Sequence, residues 1–260
     1  MDLGIKGRRA LVCGASRGLG FAAALALARE GAHVALAARS EPGLADAADR
    51  LRAQTGAIAE VYAVDLTSRE GRAALIAANP ATDILVTHAG VSQRYERFQQ
   101  LKHEDWTWWL NAHFFSAIEL IQAYVPGMMQ RRFGRIVNIS VNFIKYPQIG
   151  VGHSHAARLA LAGSIASLVR EVASHNVTIN SVLPGPFQTD ALAAALTERA
   201  DKRKITYEAA EAEMLKSVPA ARIAEPREAA DLIVMLASNQ MGFVTGQNIC
   251  IDGGQCPTLF

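Results

Sequence analysis

Cysteine is scarce in this 260-residue chain, which has only Cys13, Cys250 and Cys256. An odd number at those spacings excludes a disulfide-framed scaffold and shows no metal-ligand pattern, so a reducing, cytoplasmic setting is the expectation. No apolar run is both long enough and free enough of charge to span a bilayer. The opening Met1-Asp2-Leu3-Gly4 lacks the basic stretch and apolar core of a signal peptide, and none is expected. Charge of one sign is missing too: 26 basic and 24 acidic residues leave a net +2, with no long like-charged run. Nucleic acid and membrane surfaces are therefore not expected partners. What the chain does have is apolar bulk. Half of its residues are hydrophobic, enough for one large α/β domain with a substantial core.

Short β-rich runs alternate with helical ones from the start. Residues 9–13, 33–38, 60–64, 83–86, 135–139, 178–182 and 244–251 each read as a buried strand. Between them lie Ala-rich or amphipathic helical stretches such as 19–30, 43–54, 106–130, 151–174 and 226–238. This alternation predicts a Rossmann-type, doubly wound parallel sheet of seven strands with helices on both faces. No linker or repeat breaks it, so residues 1–260 are expected to form a single domain. The least regular stretch is 184–221, read as a lid over the C-terminal edge of the sheet.

Gly14-Ala-Ser-Arg-Gly18-Leu-Gly20 follows the first strand and opens the first helix. Three glycines allow a tight turn, close backbone approach to a pyrophosphate, and packing of helix on strand. The helix start then offers free N–H groups to phosphates. The spacing G-x-x-x-G-x-G resembles the short-chain dehydrogenase/reductase family, and the resemblance runs through nearly the whole chain. Asp65-Leu66 matches the pair that holds the adenine ring, and Thr87-His88-Ala89-Gly90 stands where the family has Asn-Asn-Ala-Gly. Asn111 falls at the helix asparagine of the family's catalytic tetrad. Pro184-Gly185-Pro-Phe-Gln-Thr189 matches the loop that contacts the nicotinamide, and Ile251-Asp252-Gly253-Gly254 the closing strand and turn.

The resemblance implies a nicotinamide dinucleotide bound by Gly14, Ser16, Arg17, Gly18, Leu19, Gly20, Arg39, Ser40, Asp65, Leu66, His88, Ala89, Gly90, Arg158, Pro184, Gly185 and Thr189. Members that prefer NAD place a carboxylate at the end of the second strand. This chain has Ala38, Arg39 and Ser40 there, with Arg17 nearby in the turn. Two guanidinium groups suit a 2′-phosphate, so NADP(H) is expected over NAD(H).

The catalytic residues are a different matter. The family uses a serine, a tyrosine and a lysine beside the asparagine; aligned without gaps, this chain reads Val141, Ser154 and Arg158. A phenol titrates near ~10 and can be tuned towards neutrality, whereas a serine hydroxyl is shorter and far less acidic. Arg158 stays protonated and cannot serve as a base, and Val141 offers no hydrogen bond. Asn111 alone survives. Candidate replacements are His155, beside Ser154, and Tyr146, next to Lys145 in the loop where the family builds its substrate pocket; Asn142 is a candidate for the serine's polar duty. His153, His88 and His113 read as structural. So do Cys13 and the tryptophans 106, 108 and 109, while Lys202-Arg203-Lys204 reads as a solvated helix face.

Among relatives the pattern looks most like a divergent β-ketoacyl-carrier-protein reductase without the Tyr-x-x-x-Lys motif. Three readings follow, in order of preference. The first is an NADP(H)-dependent oxidoreductase acting on a small-molecule carbonyl or alcohol, with a rebuilt proton donor. The second is an inert dinucleotide-binding sensor or partner protein, and the third a non-redox lyase or isomerase. A homodimer or homotetramer is implied by the resemblance.

Overall fold

A computed structural model describes residues 1–91 and 94–259. Its seven strands are β1 (Arg9–Cys13), β2 (His33–Ala38), β3 (Glu60–Ala63), β4 (Ile84–Thr87), β5 (Gly134–Ile139), β6 (Val177–Pro184) and β7 (Asn248–Ile251). They form one parallel sheet in the order β3-β2-β1-β4-β5-β6-β7. Period-two alternation explains how one sheet fills two cores. Val12, Leu36, Val86 and Val137 point to one face, against Leu27, Leu44, Leu51 and Ile233. Leu11, Ala35, Leu85 and Ile136 point to the other, against Leu75, Leu120, Met128, Leu161 and Ile165.

The helices that carry those residues are α1 (Gly18–Arg29), α2 (Glu41–Thr55), α3 (Arg69–Ala78), α4 (His103–Leu110), α5 (Ser116–Gln130), α6 (Gly152–Val172), α7 (Asp190–Arg203), α8 (Tyr207–Leu215) and α9 (Pro226–Ala237). Their starts follow local chemistry. Ser40 and Ser68 each accept a hydrogen bond from the N–H three residues on, and Pro226 opens α9 where a missing N–H costs nothing.

Two expectations are corrected. The stretch 106–130 is not one regular helix: a π-helical turn, Asn111–Phe115, separates α4 from α5. The stretch 184–221 is not irregular either, because it holds α7 and α8. These pack on each other through Leu196, Ala200 and Ala210, a small core of their own. Their surfaces are rich in Ala, Glu, Lys and Arg, so neither shows the apolar stripe that marks a helix in the sequence.

Strand order reverses between β1 and β4. In an open parallel sheet that is where the loops leaving the two strands part and leave a crevice at their C-terminal ends. Gly14 leaves β1 there and Gly90 follows β4. A Cβ on Gly90 would lie 3.6 Å from the Cα of Gly14.

Candidate functional site

The crevice is built from backbone. Gly14 and Gly18 have φ of +62° and +59°, a left-handed region that costs a side chain strain. Gly20 is crowded: a Cβ there would lie 2.3 Å from the Gly14 carbonyl oxygen. These contacts let α1 start against β1 and aim its first N–H groups into the crevice. No described side chain caps that end of α1, and its first turn carries no acid. Unsatisfied N–H groups with the positive end of the helix dipole suit a pyrophosphate, so the residues present fit a dinucleotide.

The other expected cofactor residues lie on the same edge, each just beyond the end of a parallel strand. Arg39 is exposed after β2 and makes no ion pair among the described residues, while Ser40 caps α2. Asp65 follows β3 and accepts two bonds on Oδ1, from the N–H and hydroxyl of Thr67. Leu66 is buried, and its carbonyl accepts from Arg72. Thr189 follows β6 and caps α7. Arg17 crosses the cleft mouth to Asp190 of α7 at 3.3 Å; both side chains are about three-quarters exposed, so the pair holds weakly.

Beneath this edge lies a small polar cavity of about 10 Å³, the space of one water, walled by Thr87, His88, His113, Asn138, Ser140 and Arg158. Arg158 organises it. Its Nε donates to Ser154 Oγ at 3.2 Å, one turn back on α6, and its Nη2 meets His113 Nε2 at 3.3 Å. A guanidinium can only donate, so Nε2 is the unprotonated nitrogen of His113 and Nδ1 carries the proton. Burial and the neighbouring Arg158 hold the His113 imidazole well below its ordinary pKa. The same two causes bring His88 down to about 4. Burial lowers Arg158 itself to about 10. Two neutral imidazoles thus flank one cation.

His113, read from the sequence as structural, lines this cavity and meets Arg158. It sits in the π-helical turn, and its ring stacks on Trp109 with centroids 5.1 Å apart. Widening the helix at Asn111–Phe115 changes the direction in which side chains leave it, which is why a regular helical projection misplaces His113. Asn111, in the same turn, donates to the Thr107 carbonyl at 3.0 Å.

The candidate replacements stand apart from this group. His155 donates through Nε2 to the Ile144 carbonyl at 3.3 Å and braces the loop after β5. Tyr146 has a buried hydroxyl without a hydrogen-bond partner. Burial first, then the charges of Asp252 and the nearby cysteines, push its pKa far above the phenol range. Asn142 donates to Asp252 Oδ2 at 3.2 Å and to Gln255 Oε1 at 2.9 Å, so it braces the turn after β7 rather than a substrate. Neither Tyr146 nor His155 lines the cavity. Cys13 is buried and its thiol is raised to about 12, an inert core residue. Lys202 and Arg203 pair with Glu198 and Glu213 on the exposed faces of α7 and α8.

Sheet order and glycine turn together define a doubly wound, dinucleotide-binding α/β protein. A family model described as Enoyl-(Acyl carrier protein) reductase matches residues 14–255, and the chain belongs to the short-chain dehydrogenase/reductase family. It is 34% identical over 256 residues to the 3-oxoacyl-[acyl-carrier-protein] reductase of Vibrio cholerae, covering 97% of this chain and 98% of that one. It is also 34% identical over 252 residues to the acetoacetyl-CoA reductase of Shinella zoogloeoides, covering 95% and 98%. The L-sorbose reductase of Gluconobacter frateurii, solved with NADPH and L-sorbose, superposes with a TM-score of 0.92 over all of both chains at 28% identity.

Proposed function

We propose that this protein is an NADPH-dependent reductase of a 3-oxoacyl-type carbonyl, and that Ser154 and Arg158, steadied by His113, do the work of the family's tyrosine and lysine. The observation that carries the reading is the chain Ser154 Oγ, Arg158, His113, with links of 3.2 and 3.3 Å. Named relatives that reduce 3-oxoacyl and acetoacetyl thioesters support the substrate class. A relative solved with NADPH, and the exposed Arg39 and Arg17 with Ala38 rather than a carboxylate closing β2, support the cofactor.

The bound cofactor would supply hydride from its nicotinamide. The residues handle the charge that follows. Ser154 accepts from Arg158 and so keeps its own proton free to donate to the substrate oxygen. As that oxygen becomes an alkoxide, the proton leaves Ser154, and the adjacent guanidinium stabilises the serine oxygen it leaves behind. The neutral His113 fixes the guanidinium plane from the far side. Pro184, Gly185 and Thr189 would border the nicotinamide, with α7 and α8 as the lid over the substrate.

No helix among the described residues is long and apolar enough to cross a membrane. Trp108, Phe115 and Leu159 expose apolar surface on α4, the π-helical turn and α6, which supports a homodimer or homotetramer formed through these elements.

The test follows NADPH oxidation with acetoacetyl-CoA as substrate. Ser154→Ala is expected to lower kcat by ~10²–10⁴-fold while NADPH affinity holds. An unchanged kcat would remove Ser154 from the mechanism. Product formed without NADPH oxidation would make the protein a non-redox enzyme instead.

A further inference from the structure

Outside the catalytic cavity, the turn after β7 gathers a second set of reactive groups. Cys250 leaves the last strand, Asp252 opens the turn and Cys256 closes it; their two sulfurs and one carboxylate oxygen all lie within 4.8 Å of one another. In the sequence this C-x-D-x₃-C spacing shows no metal-ligand pattern. The left-handed glycines 253 and 254, with φ of +65° and +85°, fold the chain back so that Cys256 returns beside Cys250. The turn is held in that shape: Asp252 Oδ1 accepts from the Gly254 N–H at 3.1 Å, and Oδ2 from the Cys256 N–H at 2.8 Å.

A second observation points into the same spot. Asn142, 1% exposed, donates to Asp252 yet leaves its Oδ1 buried and without a partner, and the buried Tyr146 hydroxyl beside these groups has none either. Buried polar atoms are normally satisfied. Two unsatisfied oxygens thus lie next to two thiols and a carboxylate, while the Cys256 sulfur meets Thr258 Oγ1 at 3.2 Å.

We propose that Cys250, Asp252 and Cys256 bind one borderline-soft divalent cation of the zinc type, with water or the Tyr146 hydroxyl in the fourth position. Tetrahedral coordination with Zn–S near ~2.3 Å sets the two sulfurs about 3.8 Å apart. The observed cluster reaches that geometry with side-chain shifts of under about 1 Å. Binding releases the two thiol protons to solvent, and two thiolates with one carboxylate then hold the 2+ ion. Mixed sulfur and oxygen ligands disfavour calcium and magnesium, which take oxygen alone. The ion would tie the segment 250–256 to the loop that carries Asn142 and Tyr146. It is a structural clamp, separate from the hydride and proton chemistry at Arg158.

The full-length protein, reduced and stripped with chelator, would be titrated with Co²⁺. The expected result is a saturating near-ultraviolet sulfur-to-cobalt charge-transfer band at one equivalent, bleached by one equivalent of Zn²⁺. Cys256→Ser and Cys250→Ser should each weaken binding by more than the ~100-fold that loss of an outer-shell partner costs. Cys13→Ser, with its thiol in the core, should leave the band intact. No saturable band in the reduced protein would overturn the proposal, as would a band that survives both serine variants. Loss of two thiols in air, with no Co²⁺ binding after reduction, would show a disulfide pair and overturn it as well.

Discussion

The two halves of the crevice are specified by different parts of the polypeptide. On the β1 side the cofactor edge is written in backbone. Gly14, Gly18 and Gly20 are required because a Cβ would strain the turn or strike a carbonyl. On the β5 side the reactive edge is written in side chains. There Val141, Ser154 and Arg158 stand on the same strand end and helix that would carry the usual residues, with β5, β6 and α6 fully formed around them. Replacing side chains in a site leaves the scaffold intact, whereas replacing a glycine in the turn does not. A chain can therefore keep its fold and cofactor edge while its chemistry is rebuilt, which is why fold alone does not set function.

The sharpest way to test this contrast is to put one methyl group on the backbone side. Gly20→Ala would place a Cβ 2.3 Å from the Gly14 carbonyl oxygen and 2.8 Å from its carbon, inside a turn that has no room to move. Overpacking costs ~1–3 kcal/mol, and a clash with backbone stands at the upper end of that range. Thermal or urea unfolding should show that loss, and NADPH binding measured by calorimetry should disappear with it. A variant as stable as the parent would mean that the turn is looser than it looks.

The next effect separates the site by pH. His88 is held neutral, with its pKa brought down to about 4, mainly by burial and then by Arg158; His113 is lowered in the same way. Both imidazoles bind a proton more weakly in the folded chain than in the unfolded one. The stability tied to their neutrality is complete above the unfolded pKa of ~6.5 and is lost as pH falls towards the folded value. For His88 alone this amounts to about 3 kcal/mol between pH 6.5 and 4. Urea midpoints across that range should fall steeply, and His88→Asn should flatten the slope. An unchanged slope would place the acid sensitivity elsewhere.

The seven strands, their alternation with helices and the glycine turn were legible in the sequence, because short apolar runs and glycine spacing are local signals. Three features were not. Helices α7 and α8 bury only a narrow strip, so composition hid them. The π-helical turn at Asn111–Phe115 has no composition signature. The His113–Arg158 contact joins residues 45 apart and exists only once α6 packs on that turn. A polar residue two places after Asn111 was the one available hint. Without the widened turn, nothing in the sequence aimed it at Arg158. Sequence reasoning looked instead to neighbours of Ser154 and of Val141; His155 is committed to the Ile144 carbonyl, and the Tyr146 hydroxyl is buried beside Asp252 and the cysteines.

A smaller effect tests the cofactor edge alone. Replacing Arg39 and Arg17 by alanine removes two exposed guanidinium groups, one of them weakly paired with Asp190. Charge-assisted bonds to a phosphate are worth ~1.5–3 kcal/mol, so NADPH affinity should fall by about 10–100-fold while NADH affinity holds. Equal loss for both dinucleotides would show that the arginines contact something other than a 2′-phosphate.

The smallest expected effect lies on the side-chain edge, at the residue that most resembles the missing acid. Tyr146 carries a phenol, but its hydroxyl is buried without a partner among Asp252, Cys250 and Cys256, and its pKa is driven up rather than down. Deleting an unsatisfied buried hydroxyl while keeping the ring removes a desolvation cost and no hydrogen bond. Tyr146→Phe should therefore leave kcat unchanged and stability equal or higher by up to ~1 kcal/mol, measured by NADPH oxidation and thermal melts. If kcat collapsed instead, the loop after β5 would have to swing its phenol to the substrate during turnover. The proton would then come from Tyr146, and the chain from Ser154 through Arg158 to His113 would be left with orienting the substrate.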